Sequence, residues 1–320
     1  MTRVLVTTTS FQDTPGPHHE RLASQGFEID RERGPLPEAR MLELVGEYDA
    51  ILCGDDAFTR KVLEKSLPRL KVLSKYGIGV DKIDLQAATD LRIPVTYCPG
   101  VNHTTVAEHS FGLMLSLYRQ IPQQNALVHQ GKWKRMTGHE LLGKTLGILG
   151  LGRIGKEVAK RARAFEMRVI AFDPFWDEAF AKQHAVERRA TAEEALQEAD
   201  IVALHMNLTH DNREFLNASR IALMKEGAVV INTSRGALIH ERDVAEAVKS
   251  GRLGGYGADV VEPEPIAPDN PLIGIENVVL TPHIGSRTFE SVVRQAGMAV
   301  ENLIRALNGE PPLAQANTFK

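Results

Sequence analysis

Short runs of consecutive apolar residues recur along this chain, each followed by a longer stretch with the three-to-four-residue spacing of a helix. In the first hundred residues the pattern predicts strands at Val4 to Thr7, Phe27 to Ile29, Ala50 to Cys53, Val72 to Ser74 and Val95 to Tyr97. Strands alternating with helices build a parallel α/β unit. The series stops at Pro99-Gly100. A long helical pattern then runs from Val101 to Tyr118, with Phe111, Leu113, Met114, Leu115 and Leu117 on its apolar positions. Periodicity assigns nothing to Gly131-Lys132-Trp133.

A second series predicts six strands, at Thr145 to Leu149, Arg168 to Phe172, Ile201 to Leu204, Val229 to Asn232, Gly257 to Val260 and Val278 to Thr281. Six strands with intervening helices make a complete doubly wound fold. A last helical pattern, Thr288 to Leu307, is placed back on the first unit, which otherwise lacks a cover for its final edge. The expected fold class is therefore α/β with two doubly wound parallel-sheet domains. Residues 102–286 form one domain, inserted into another made of residues 1–101 and 287–320.

The segment from Leu146 to Gly155 carries the first chemistry. Gly150, Gly152 and Gly155 fall as G-x-G-x-x-G between a predicted strand and a helix, Lys156 to Phe165, with Arg153 and Ile154 inside the fingerprint. The first glycine makes the tight turn, the second lets backbone approach phosphate, and the third lets helix pack on strand. The next strand ends in Asp173, whose carboxylate accepts from ribose hydroxyls and repels the 2′-phosphate of NADP. No arginine stands beside it, so NAD is the expected cofactor and the inserted domain a Rossmann domain. A turn or capping role is the other reading of Asp173.

Composition narrows the setting. At 320 residues, two domains are the natural expectation, and 43% hydrophobic and 25% charged residues are ordinary for a globular protein. A net charge of -3 gives no basic excess for nucleic acid. No apolar run approaches the ~18 residues that span a bilayer, and the N-terminus enters a strand without a signal-peptide pattern. The two cysteines, Cys53 and Cys98, are too few for a disulfide framework, which favours a reducing cytoplasm. Cys98 is read as a buried apolar filler. His205, His109 and His103 have no metal-ligand spacing and are read as structural, so no metal is expected.

Three further residues stand at predicted strand ends: Arg235 after Asn232-Thr233-Ser234, Glu264 in Glu262-Pro263-Glu264-Pro265, and His283 after Thr281-Pro282. In an open α/β sheet those ends face the ligand crevice. Beside NAD such a trio suits hydride transfer to and from a 2-hydroxy acid. Arg235 holds the substrate carboxylate and polarises the keto oxygen. His283 exchanges a proton with that oxygen, and a glutamate orients the imidazole and favours its charged form. Spacing alone leaves the orienting role open between Glu262 and Glu264.

The segments from Gly150 to Asp173, His205 through Gly236, Asp259 to Pro265 and Pro282-His283 together resemble the D-isomer-specific 2-hydroxyacid dehydrogenases, over nearly the whole chain. Ser74-Lys75-Tyr76-Gly77-Ile78-Gly79-Val80-Asp81 and Pro99-Gly100-Val101-Asn102, followed by Val106-Ala107-Glu108-His109, are most similar to the members like 3-phosphoglycerate dehydrogenase. The resemblance implies a flavodoxin-like substrate domain and a homodimer built on the NAD domain. It implies Arg235, Glu264 and His283 as the catalytic set and a contact from Asp259 to the nicotinamide amide. It also implies that backbone amides around Tyr76, Gly77, Ile78 and Gly79 bind the substrate carboxylate. Lys75 is a contact for a distal anionic group or a solvated loop lysine.

Two positions depart from the family pattern: Asn207, where proline is usual, and His240, where an acid is common. The chain ends at Lys320, so serine feedback through an appended domain is not expected. Substrates left open are 3-phosphohydroxypyruvate, glyoxylate, hydroxypyruvate, pyruvate, and sulfo- or phosphono-keto acids. Some proteins of this fold act as NAD-sensing corepressors, the non-enzymatic alternative. The lack of a basic tail or disordered segment favours an enzyme.

Overall fold

The computed structural model describes residues 1–319; Lys320 lies outside the described residues. The chain divides into two compact units, Met1–Asn102 with the residues from Arg287 onward, and His103–Ser286.

The first unit contains β1 (Arg3–Val6), β2 (Glu28–Arg31), β3 (Ala50–Cys53), β4 (Val72–Lys75) and β5 (Val95–Thr96), all parallel, in the order β2-β1-β3-β4-β5. This is the doubly wound order of flavodoxin-like sheets. The central strands β3 and β4 are buried along their length; β3 therefore reads as an unbroken apolar run, while β4 ends in the buried polar residues Ser74 and Lys75. One face packs Phe58, Val62, Leu63 and Ala87. The other packs Phe11 and Leu22 against Val292, Ala296, Ala299 and Leu303 of the helix Phe289–Leu307. That helix starts where Thr288 accepts from the Ser291 amide. The chain after it covers the exposed side of β5: Ala316 donates to the Val95 carbonyl, and Asn317 accepts from the Val95 amide.

The second unit contains β6 (Thr145–Leu149), β7 (Arg168–Phe172), β8 (Val186–Arg188), β9 (Ile201–Leu204), β10 (Ala228–Asn232), β11 (Leu253–Ala258) and β12 (Val278–Leu280). They form one parallel sheet in the order β12-β11-β10-β9-β6-β7-β8. The order reverses between β6 and β9, so the ligand crevice lies at their C-terminal ends. The helix His103–Tyr118 covers one face through Ala107, Phe111, Leu113 and Met114.

Three expectations about elements change. The sheet has seven strands rather than six, because Val186–Arg188 is a short edge strand with only one buried residue and so shows no apolar run. β11 begins at Leu253 rather than Gly257 and ends before Asp259; Gly255, left outside the expected strand, lies with Gly257 directly beneath Leu113 and Leu117. A helix at Ile121–His129, which periodicity does not show, buries none of its residues.

Candidate active site

The glycine fingerprint follows β6. Gly150 has φ +100, and a Cβ there would lie 2.6 Å from the His205 carbonyl atoms at the end of β9. A Cβ on Gly155 would lie 2.1 Å from the Gly150 oxygen, so only glycine lets the helix pack against the turn. Nothing lies within 4 Å of the Cβ direction of Gly152. This glycine caps the helix Arg153–Ala164 with no side-chain hydrogen bond, leaving the first-turn amides around Arg153 and Ile154 for an anion. Asp173 closes the arrangement at the end of β7: one oxygen accepts from the Leu151 amide at 2.6 Å, the other from the Phe175 amide at 2.7 Å. The turn role and the ligand role are thus compatible, since each carboxylate oxygen keeps a second lone pair. Room at Gly152, an uncapped helix start and a carboxylate one strand away fit a dinucleotide.

His205 has both ring nitrogens buried with no hydrogen-bond partner, and burial pulls its pKa down to about 4. It is a neutral residue packed behind the turn.

Arg235, Glu264 and His283 follow β10, β11 and β12, three strands adjacent in the sheet. Buried Asn232 shapes the first of these loops: its amide group donates to the Arg235 carbonyl at 2.8 Å, and its oxygen accepts from the Ser234 amide at 3.0 Å. The Arg235 guanidinium donates to the Ser234 carbonyl at 2.7 Å. Gly236 brings the next loop close, since a Cβ there would lie 2.1 Å from the Val261 carbonyl carbon.

Glu264 and His283 form the pair that spacing could not assign. Nδ1 of His283 is 2.7 Å from Oε2 of Glu264, with the two side chains about one-third exposed. The competing Glu262 points elsewhere: its amide donates to Glu241 at 2.9 Å, and its carboxylate lies 4.0 Å from Arg213.

His283 sits at φ +53, the left-handed region that non-glycine residues avoid. No motif in the sequence signals what holds it there. Its amide donates to the Asp259 carbonyl at 2.9 Å and the Thr281 carbonyl at 3.0 Å. The Asp259 carboxylate, in a residue only 2% exposed, accepts from Thr281 Oγ1 at 2.6 Å and from the amides of Ile284 and Gly285 at 2.9 and 2.6 Å. His109 adds its Nε2, 3.3 Å from the same carboxylate and 2.9 Å from Thr281 Oγ1. Burial pushes the Asp259 pKa up, but hydrogen bonds from His109, Thr281 and Ile284 outweigh it and hold the group below the usual carboxylate range. The geometry makes Asp259 the anchor of the turn that carries His283. His109, read from sequence as merely structural, belongs to that anchor.

In the first unit, Lys75 ends β4 and is 3% exposed; its Nζ is 2.8 Å from both Asp55 Oδ1 and the Gly54 carbonyl. It is therefore neither solvated nor loosely held. The next loop starts with Tyr76, whose amide continues the ladder by donating to the Cys53 carbonyl at 2.8 Å. That removes the Tyr76 amide from the proposed carboxylate donors and leaves those of Gly77, Ile78 and Gly79. Cys53 and Cys98 are unpaired and buried; burial pushes the Cys98 thiol up to about 11, as suits a packing residue. Among the described residues no cluster of side chains could hold a metal ion.

Comparison with known proteins gives the family. A sequence model described as D-isomer specific 2-hydroxyacid dehydrogenase, NAD binding domain, matches residues 111–285. The chain is 38% identical to a D-3-phosphoglycerate dehydrogenase of Methanocaldococcus jannaschii, over 97% of this chain but 58% of that protein. It is also 38% identical to a glyoxylate reductase of Korarchaeum cryptofilum, over 89% of this chain and 88% of that one. Among solved structures, a protein from Thermus thermophilus superposes with TM-score 0.89 at 38% identity, covering 98% of this chain and all of the other. A D-lactate dehydrogenase of Aquifex aeolicus, solved with NAD and lactic acid, superposes with TM-score 0.85 at 27% identity, covering 97% and 96%. The second unit is an NAD-binding domain, and the chain belongs to the D-isomer specific 2-hydroxyacid dehydrogenase family.

Proposed function

We propose that this chain is an NAD-dependent dehydrogenase of D-2-hydroxy acids that also reduces the matching 2-keto acids. The observation that carries the reading is the His283 to Glu264 hydrogen bond of 2.7 Å on the strand ends of the NAD-binding sheet. NAD, when bound, supplies or accepts the hydride. Arg235 holds the substrate carboxylate and polarises the keto oxygen. With Nδ1 committed to Glu264, His283 exchanges its proton with the substrate oxygen through Nε2. Glu264 fixes the ring and stabilises the imidazolium. Within the first unit, the amides of Gly77, Ile78 and Gly79 are the candidate donors to a carboxylate.

The curated relatives include phosphoglycerate dehydrogenases, glyoxylate reductases and a hydroxypyruvate reductase at 35–39% identity. The loop resemblance supports the first group, whereas the pairing of Lys75 with Asp55 supports the small-acid reductases. NADH oxidation measured with 3-phosphohydroxypyruvate, hydroxypyruvate, glyoxylate, pyruvate, sulfopyruvate and phosphonopyruvate tests the proposal. No turnover with any of them refutes it.

We also propose a homodimer through the second unit. The helix Ile121–His129 buries nothing, and Ile121, Val128 and Trp133 are 51%, 52% and 78% exposed. Light scattering should give twice the chain mass, and Val128→Ser with Trp133→Ser should give a monomer; an unchanged dimer moves the interface elsewhere. The two unpaired, buried cysteines suit a reducing compartment, so a cytoplasmic setting accompanies this reading.

A further inference from the structure

We propose that Asp55 is a specificity residue: it neutralises Lys75 and turns the first unit's strand ends away from keto acids with a distal dianion, toward those with an uncharged distal group. This rests on the reading of the chain as a 2-keto acid reductase.

The arrangement follows from the sheet. β3 and β4 are paired with Cys53 opposite Lys75, so the turn Gly54-Asp55-Asp56 leaves β3 beside the lysine. Asp56 sets that turn. Fully buried, it accepts from the Thr7 hydroxyl, from the Leu36 amide at 2.8 Å and from the Gly54 amide at 3.0 Å. Its neighbour Asp55 is thereby directed onto Lys75 at 2.8 Å.

The two partners differ in what they show to solvent: the Lys75 side chain is 4% exposed and the Asp55 side chain 39%. A ligand arriving at the C-terminal ends of these strands, where open α/β sheets bind ligands, meets the carboxylate before the ammonium. A phosphate or sulfonate there faces a like charge, and the lysine's charge is already matched by Asp55. A hydrogen or hydroxymethyl group faces neither penalty.

The test compares wild type with Asp55→Asn, which keeps size and a hydrogen-bond acceptor while removing the charge. We expect wild type to prefer hydroxypyruvate to 3-phosphohydroxypyruvate in kcat/KM. In the variant the ratio should move toward the phosphorylated acid by roughly tenfold, mostly through KM, for one charge about 5 Å from the ligand in a partly solvated site. Adding Lys75→Met to Asp55→Asn should return the ratio. The inference is overturned if wild type prefers the phosphorylated acid, or if Asp55→Asn leaves the ratio unchanged. A second readout needs no turnover: at constant ionic strength, inorganic phosphate should raise the melting temperature of Asp55→Asn more than that of wild type. If no keto acid is reduced, the enzymatic reading fails, and an equal phosphate effect on the two proteins then overturns the role of Asp55 separately.

Discussion

Replacing Glu264 with Gln keeps a hydrogen-bond acceptor beside Nδ1 of His283 and deletes only the negative charge. With 2.7 Å between the heavy atoms, the charge centres are about 4 Å apart, and both side chains are near one-third exposed. At that separation the interaction is about 1 kcal/mol in the dielectric of water and about 4 kcal/mol in that of a protein surface, and screening of these partly exposed groups brings it to about 1–2 kcal/mol. One pH unit corresponds to ~1.4 kcal/mol, so the expected displacement is about one unit. The sign follows from which form works. Reduction needs imidazolium, and a neighbouring carboxylate stabilises imidazolium, so losing the carboxylate lets the proton leave at lower pH.

The assay is the pH dependence of kcat/KM for NADH-linked reduction. Its alkaline limb should move down by about one unit in Glu264→Gln, while the acid limb of the reverse oxidation moves down with it. Glu262→Gln should leave both limbs in place, because Glu262 lies toward Glu241 and Arg213. A shift with Glu262→Gln and none with Glu264→Gln would exchange their roles. No shift with either would refute the proton-transfer pair itself.

Cofactor choice is read at Asp173: NADH should exceed NADPH by at least ~tenfold in catalytic efficiency, about 1.4 kcal/mol, and Asp173→Asn should narrow the gap while retaining an acceptor for the Leu151 or Phe175 amide; equal use of the two cofactors by wild type would remove Asp173 from that role. His205 should make the cofactor-free protein acid-sensitive. Its folded pKa of about 4 lies below the ~6.5 of a free imidazole, so stability is complete above the unfolded value and is lost as pH falls from there toward 4, by roughly 2–4 kcal/mol at the limit. Chemical denaturation across that window should show a shallower loss in His205→Leu, and parallel curves would contradict it.

The parts of the fold legible in sequence are those where one physical demand dominates. β3, β6 and β9 are buried along their length, so each is an apolar run whose bounds match expectation to the residue. The fingerprint is legible because close backbone contacts at Gly150 and Gly155 exclude every side chain. β8 escapes notice because an edge strand with one buried residue imposes no pattern. The start of β11 is hidden because a helix pressed on a strand selects glycine, the residue that also marks turns. In the candidate site, strand-end position shows Arg235, Glu264 and His283 as chemistry-bearing residues. The choice of Glu264 over Glu262 requires the loop's path, and the pairing of Lys75 with Asp55 depends on two strands brought together from distant sequence. Spacing holds neither.

The anchor beneath His283 explains why an imidazole that must exchange protons can occupy a disfavoured backbone region. A non-glycine residue at φ +53 costs on the order of 1 kcal/mol, and it persists only where its surroundings overdetermine it. Here one buried carboxylate supplies that constraint. Asp259 gathers the Thr281 hydroxyl before His283 and the Ile284 and Gly285 amides after it. Bonds to a charged acceptor are about twice as strong as neutral ones, so three of them more than offset the strain. The ring has Glu264 as its own partner, and its backbone is held by Asp259. Orientation and proton affinity thus rest on different acids. A change at Asp259 should disturb where the ring stands, and a change at Glu264 should disturb when it gives up its proton.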